Sequence, residues 1–175
     1  LKQLKLQAQG LSGHLSQFWN DVMNSVWVGG GGDGGLHERT PYWLNGMVPL
    51  AFLLHNAGID ELPAVLGIYK APSGPFNEGL PKGVPTPKPV KPLEQIDAYI
   101  SYILAHQNAD GWLGPESSGG DQYWGPSNVL QSLWQYAEAK AFTDMAAAQN
   151  ASKAMVLHLL EQAKRMPAAP LSSWA

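Results

Sequence analysis

Residues 107–115 read QNADGWLGP and join two stretches of helical periodicity through a tight turn. Gly111 supplies the backbone freedom that the turn needs, and the carboxylate of Asp110 can accept backbone N–H groups around it. Trp112 has two interpretations, because its ring either stacks on the face of a sugar or plugs the loop against a neighbouring helix. The segment therefore predicts a helical hairpin whose turn carries an acidic and an aromatic side chain.

Helical periodicity continues outward from this turn on both sides. Apolar residues recur at steps of three and four without strand-like alternation, so the predicted class is all-α with a helix, loop, helix organisation. The first helical stretch contains Gly10 and Gly13, where it can break. The helices are predicted over 2–27, from a Thr40-Pro41 start to His55, over about 93–107 and 127–140, and from a Thr143/Asp144 cap to Pro167.

The same spacing predicts the core. The helix that follows Thr40 is apolar on nearly every side, so we expect it to be buried all round and to be kinked at Pro49. In the last two helices the apolar residues at helical spacing are expected to face inward. These residues are Val129, Leu130, Leu133, Trp134 and Ala137, and then Met145, Ala148, Met155, Val156, Leu159, Leu160 and Ala163.

Composition excludes several classes of protein. Of the 175 residues, 45% are hydrophobic and 14% are charged, and the formal net charge is −3. This composition excludes intrinsic disorder for most of the chain, and the absence of a basic stripe disfavours nucleic-acid binding. No apolar run reaches the roughly 20 residues of a membrane helix. The chain has no cysteine, which removes disulfides and thiolate metal sites, and the histidines lack metal-site spacing, so no cofactor is predicted.

The region 62–92 differs from the rest of the chain in its proline content. Eight of the 14 prolines lie there, and residues 81–92 are typical of extended, polyproline-like chain. We favour a surface loop inserted between two helices. A peptide ligand for an aromatic-lined groove is the alternative interpretation.

Three ionisable residues, His37, Glu38 and Arg39, precede the helix whose first turn carries Tyr42 and Trp43. Such a concentration is unusual in a chain with so few charges. Glu38 is a candidate general acid or a hydrogen-bond partner for sugar hydroxyls. Alternatively, Glu38 and Arg39 pair with each other or complement the end of the helix.

Hydrolysis of a glycosidic bond generally needs two carboxylates that face the bond. Asp33, Asp110 and Asp121 are the possible partners of Glu38, which itself is a weak candidate for catalysis. The sequence alone brings no two of these carboxylates together.

Tyr123 and Trp124 form a further candidate sugar-binding pair just before a predicted helix. Both rings offer flat apolar faces beside polar tips, which is typical of carbohydrate sites. The alternative, which we favour, is that they are core residues of the next helical hairpin.

Together these segments resemble a known family. Residues 11–19, 33–51, 99–114 and 123–136 are similar to the N-terminal part of the catalytic domain of β-L-arabinofuranosidase-like glycoside hydrolases, family 127 and its relatives. The resemblance implies an (α/α)6 toroid, six helical hairpins in a ring, that hydrolyses terminal L-arabinofuranose with retention. It also implies a cysteine nucleophile that is held by zinc together with further cysteines and a glutamate, and a second glutamate that acts as acid/base. The substrates that it implies are plant-type or cell-wall glycans, and the family resemblance is compatible with secretion.

This chain departs from the family pattern in two ways. It has no cysteine, so the implied zinc and thiolate centre is absent and the nucleophile is unknown. Residues 120–123 read GDQY where family members carry a histidine that contacts substrate, which puts the arabinofuranose specificity in doubt. The expected carbohydrate-binding residues are His37, Glu38, Tyr42, Trp43, Asp110, Trp112, Asp121, Tyr123 and Trp124.

The whole chain, 1–175, is expected to be a single partial domain. Five predicted helices make an incomplete toroid, and an open array of hairpins exposes apolar surface. We therefore expect a fragment or truncated family member that needs the remainder of the toroid or another subunit and is inactive alone. A non-catalytic carbohydrate-binding or scaffold domain on the same fold is the alternative.

Overall fold

The computed structural model describes residues 2–10, 12–32, 37–64, 88–116 and 123–166. These residues form helices and no β-strand, which confirms the all-α class. In the same ranges no helix is both long and apolar enough to cross a bilayer. The helices are α1 (Lys2–Gln9), α2 (Leu15–Phe18), α3 (Asn20–Met23), α4 (Arg39–Asn56), α5 (Pro92–Ala105), α6 (Trp124–Lys140) and α7 (Met145–Arg165).

The first predicted helix is divided into short pieces. A break follows α1 at Gly10, as the glycines suggested, and Trp19 adds a second break because its backbone is extended between α2 and α3. Gly13 lies so close to the Ala8 carbonyl that a Cβ atom there would overlap it. A continuous helix over 2–27 was therefore wrong.

Helix α4 begins two residues earlier than predicted, at Arg39 instead of Pro41, and Thr40 is not its cap. Glu38 occupies the N-cap position without a side-chain capping bond. The Thr40 hydroxyl instead lies 2.7 Å from both the Asp21 carbonyl oxygen and the Ser25 hydroxyl. These contacts connect the segment that contains Asp21 and Ser25 to the start of α4. Burial on all sides was also wrong, because Tyr42 near the start of the helix is 45% exposed and Leu53 near its end is 48% exposed.

Helices α4 and α6 pack side by side and run parallel. Near their first turns Tyr42 meets Trp124, and further along Phe52 meets Tyr136 with ring centroids 6.1 Å apart. Both helices therefore begin at the same end of the molecule.

Helices α5 and α7 return in the opposite direction. Tyr123, the residue just before α6, donates a hydrogen bond from its hydroxyl to the carbonyl oxygen of Arg165 at the end of α7, over 2.9 Å. At the other end Lys140 is 3.0 Å from Asp97 of α5. The body is thus two stacked α-helical hairpins, α4–α5 and α6–α7.

The predicted loop over 62–92 is described only at its two ends. Leu62 and Val90 pair through two backbone hydrogen bonds of 2.7 and 2.9 Å, which closes the base of the connection between α4 and α5. Residues 65–87, including most of the proline-rich stretch, lie outside the described residues.

The core lies between the hairpins, and most of the large apolar residues of α7 lie outside it. Leu44, Met47, Ile96 and Leu133 are almost completely buried. The buried stripe of α7 begins with three alanines and continues with His158 and Glu161. The predicted inward side chains that are instead exposed are Trp134 (63%), Met145 (55%), Val156 (56%), Leu159 (52%) and Leu160 (58%), while Ala148, Ala151 and Ala154 are buried.

Candidate functional site

An exposed aromatic pair lies where α4 and α6 begin. Tyr42 is in the first turn of α4 and is 45% exposed, and Trp124 starts α6 and is 40% exposed. Their ring centroids are 6.3 Å apart with planes at 72°, and the indole N–H donates a hydrogen bond to the Tyr42 hydroxyl. The edge-to-face contact fixes both rings while leaving part of each accessible. Trp124 is therefore a surface residue and not a core residue of its hairpin.

Glu38 lies beside this pair at the start of α4 and is only 7% exposed. Its Oε1 is 3.3 Å from Nε of Arg39, so the predicted pairing of these two residues is present. Its Oε2 is buried and has no hydrogen-bond partner among the described residues. A buried acceptor left without a donor costs about 1–3 kcal/mol. Because this oxygen has almost no exposed surface, a ligand on the outside of the protein does not reach it in this conformation.

Arg39 extends the exposed surface toward α3. Its guanidinium carbon is 5.9 Å from the centre of the Trp19 ring, and Trp19 is 36% exposed. Arg39 and Tyr42 are neighbours on the surface of α4 because three residues separate them in the helix. Trp19, Arg39, Tyr42 and Trp124 thus form a continuous surface, which we call the aromatic row.

His37 and Trp43 are held by hydrogen bonds to other segments of the chain. The backbone of His37 is left-handed, with φ of 53°, and its carbonyl accepts a 2.7 Å hydrogen bond from the indole of Trp27. Trp43 is 5% exposed and donates from its indole to the Ser12 carbonyl over 3.0 Å. The structure therefore places Trp43 in the core, where its ring is not open to a ligand.

The turn at 110–112 has the predicted geometry. The Asp110 carboxylate accepts a 2.9 Å hydrogen bond from the backbone N–H of Trp112. Gly111 has φ of 100°, and a Cβ atom there would be 2.8 Å from the Leu157 carbonyl oxygen of α7. Only glycine suits this position, because the conformation is left-handed and the backbones are in close approach.

Trp112 closes this turn onto α7. It is 6% exposed, and its ring lies 4.6 Å from His158 and 6.3 Å from Tyr123, measured between centroids. The guanidinium carbon of Arg165 lies 4.5 Å from the ring centre. The Trp112 ring therefore packs the loop against the neighbouring helix α7, which is one of its two predicted roles.

Asp110 and Glu38 belong to separate ion pairs. Asp110 pairs with Arg165, which also contacts Glu116 at 3.2 Å and Glu161 at 2.9 Å. The N–H of Trp112, together with Arg165, lowers the pKa of Asp110. Its carboxylate is therefore engaged within the protein. The other possible partners of Glu38, Asp33 and Asp121, lie outside the described residues.

His158 lies inside a predicted helix, where a packing role is expected from the sequence, and the structure confirms that role for it. It is completely buried, and its Nδ1 accepts a 2.9 Å hydrogen bond from the backbone N–H of Leu113. Burial lowers the pKa of His158. The available signal was its position in the buried stripe of α7, at steps of three and four from Ala151, Ala154 and Glu161.

Comparison of the chain with protein-family models, with curated proteins and with solved structures found no match. The resemblance to arabinofuranosidases therefore stays a prediction. The functional argument rests on the geometry of the aromatic row and of the two hairpins.

Proposed function

We propose that the aromatic row binds carbohydrate and that the chain is part of a glycoside hydrolase catalytic domain of the (α/α)6 type. The observation that supports this most is the position of Tyr42 and Trp124, exposed together beside the buried Glu38. Flat apolar ring faces cover the C–H faces of sugars, and polar tips take the hydroxyls.

The arrangement of the hairpins supports a toroid. Parallel α4 and α6 alternate with α5 and α7, which run the other way, as inner and outer helices do in a ring of hairpins. The outward side of α7 carries large exposed apolar residues, including Val156 and Leu160. Stacked hairpins bury a continuous core only when the next hairpin or a cap covers such a face. We propose that the remainder of the toroid, or another subunit, supplies it.

The zinc and thiolate chemistry implied by the resemblance does not fit this chain. A thiolate site needs cysteine ligands, and the sequence has none. Hydrolysis here would depend on Glu38 and a second carboxylate.

The alternative function, carbohydrate binding without catalysis, is favoured by one observation. Asp110 is held by Arg165 and Glu38 by Arg39, so each of these carboxylates is already paired with an arginine of the protein. In this case Glu38 holds Arg39 in place and transfers no proton.

Binding is tested by titrating the protein with arabino- and xylo-oligosaccharides in a calorimeter. Trp124→Ala and Tyr42→Ala should each weaken binding by about tenfold, the equivalent of about 1.4 kcal/mol. Trp134→Ala is the matched control, because Trp134 lies on the same helix and is more exposed. Equal effects of Trp124→Ala and Trp134→Ala would contradict the proposed site.

Catalysis is tested separately with aryl arabinofuranosides and other aryl glycosides. Turnover that Glu38→Gln abolishes supports the hydrolase, whereas binding without turnover supports the alternative. Glu138→Gln, an exposed change on α6, controls for the loss of charge.

A further inference from the structure

We infer that the aromatic row selects acidic sugars and that Arg39 binds the carboxylate of a uronate residue. This inference rests on the proposed function and names the chemical class of its ligand. The protein holds Arg39 in place but engages only part of its guanidinium.

Only part of the Arg39 guanidinium is engaged. Its Nε faces Oε1 of Glu38, and the side chain is 45% exposed. Among the described residues no hydrogen bond or ion pair is formed by its two Nη groups. The Nη edge of a guanidinium presents N–H groups that match the two oxygens of a carboxylate.

Glu38 and Trp19 orient this guanidinium before a ligand arrives. The ion pair holds the Nε side, and the Trp19 ring lies 5.9 Å from the guanidinium carbon. An arginine held in this way loses less side-chain freedom on binding than a free one does. Glu38 thus positions the arginine that binds the acidic group, and the positive charge of Arg39 offsets the negative charge of Glu38.

The location of Arg39 within the row suits a uronate. A uronate combines a flat sugar ring with a carboxylate at the ring edge. Arg39 lies between Trp19 on one side and Tyr42 on the other, so a ring that stacks on either aromatic side chain can direct its carboxylate to the guanidinium. Arg39 also begins the 18-residue helix α4, whose positive end favours an anion.

A matched pair of ligands tests the inference. Calorimetry would compare tri-galacturonate with its carboxyl-reduced, neutral counterpart, which keeps the same sugar rings. The wild-type protein should bind the acidic trisaccharide at least about tenfold more tightly at low ionic strength, and high salt should reduce this preference. Arg39→Gln should remove the preference, so that the acidic and the neutral trisaccharide bind with equal affinity.

Two controls separate the possible outcomes. Lys153→Gln removes one positive charge from the exposed surface of α7 and should keep the preference, and circular dichroism checks that each variant is folded. Equal affinity of the wild type for the two trisaccharides would overturn the inference and leave the proposed function standing. Failure to bind either these or the neutral oligosaccharides above would overturn both.

Discussion

The backbone N–H of Leu113 donates a hydrogen bond to Nδ1 of His158, 45 residues later in the chain, over 2.9 Å. Because Nδ1 accepts this bond, the neutral ring carries its proton on Nε2. His158 is completely buried, and this burial lowers its pKa. The turn between the two hairpins is therefore held on α7 by a histidine that must stay neutral.

Acidification should weaken the fold through His158. Its pKa is lower in the folded than in the unfolded protein, so the unfolded state binds more protons once the pH falls below about 6.5. The stabilising contribution is complete above that value and is lost as the pH falls, by at most about 1.4 kcal/mol per pH unit. Urea denaturation at several pH values would measure this slope. His158→Gln does not titrate and should show a smaller slope, and identical slopes would contradict the assignment.

A glycine pair tests the close approach of the turn to α7. Gly111→Ala should lower the free energy of unfolding by about 1–3 kcal/mol, because the backbone is left-handed and the new Cβ meets the Leu157 carbonyl. Gly46→Ala is the matched control. Gly46 lies inside α4 with open space around it, so alanine there should stabilise the helix by about 0.5–1 kcal/mol. Denaturation midpoints that shift in the same direction would show that the turn is not packed as described.

The outer face of α7 should make the isolated chain associate. Val156, Leu159 and Leu160 expose more than half of their surface on one side of the helix. We expect wild-type protein to bind the dye ANS and to form larger species in light scattering. The double variant Val156→Gln, Leu160→Gln should reduce both signals and change stability by only about 0.5 kcal/mol, as exposed substitutions do. A stable wild-type monomer that binds no ANS would contradict the uncovered face.

Periodicity and capping signals predicted much of the fold. Asp144 caps α7 through the N–H of Ala147, as expected from its position before the helix. Helix α5 begins and ends within two residues of the prediction, because its buried Ile96, Ile100 and Ile103 follow helical spacing. These features depend on neighbours in the sequence, so local rules identify them.

Helix α7 shows where such rules fail. It has two apolar sides, one of alanines and one of larger residues, and periodicity cannot tell which side meets α6. The residues named from the sequence came from both sides, with Ala148 beside Met145 and Leu160, whereas the structure buries Ala148, Ala151 and Ala154.

The candidate site was predicted as residues but not as an arrangement. Tyr42 and Trp124 were both named from the sequence, yet 82 positions separate them, and their contact depends on the parallel packing of α4 and α6. Trp19 lay only within the helix predicted over 2–27, since its contact with Arg39 requires the break between α2 and α3. Long-range placement of this kind is set by tertiary packing and leaves no local pattern.

Indole N–H resonances give the most direct test that the aromatic row binds carbohydrate. The chain has seven tryptophans, and Trp→Phe variants would assign the signals of Trp19, Trp124 and Trp134. Titration with tri-galacturonate and its neutral counterpart should shift the signals of Trp19 and Trp124 in a saturable way and leave that of the exposed Trp134 unchanged. Unchanged signals from Trp19 and Trp124, or equal shifts at Trp134, would contradict the account.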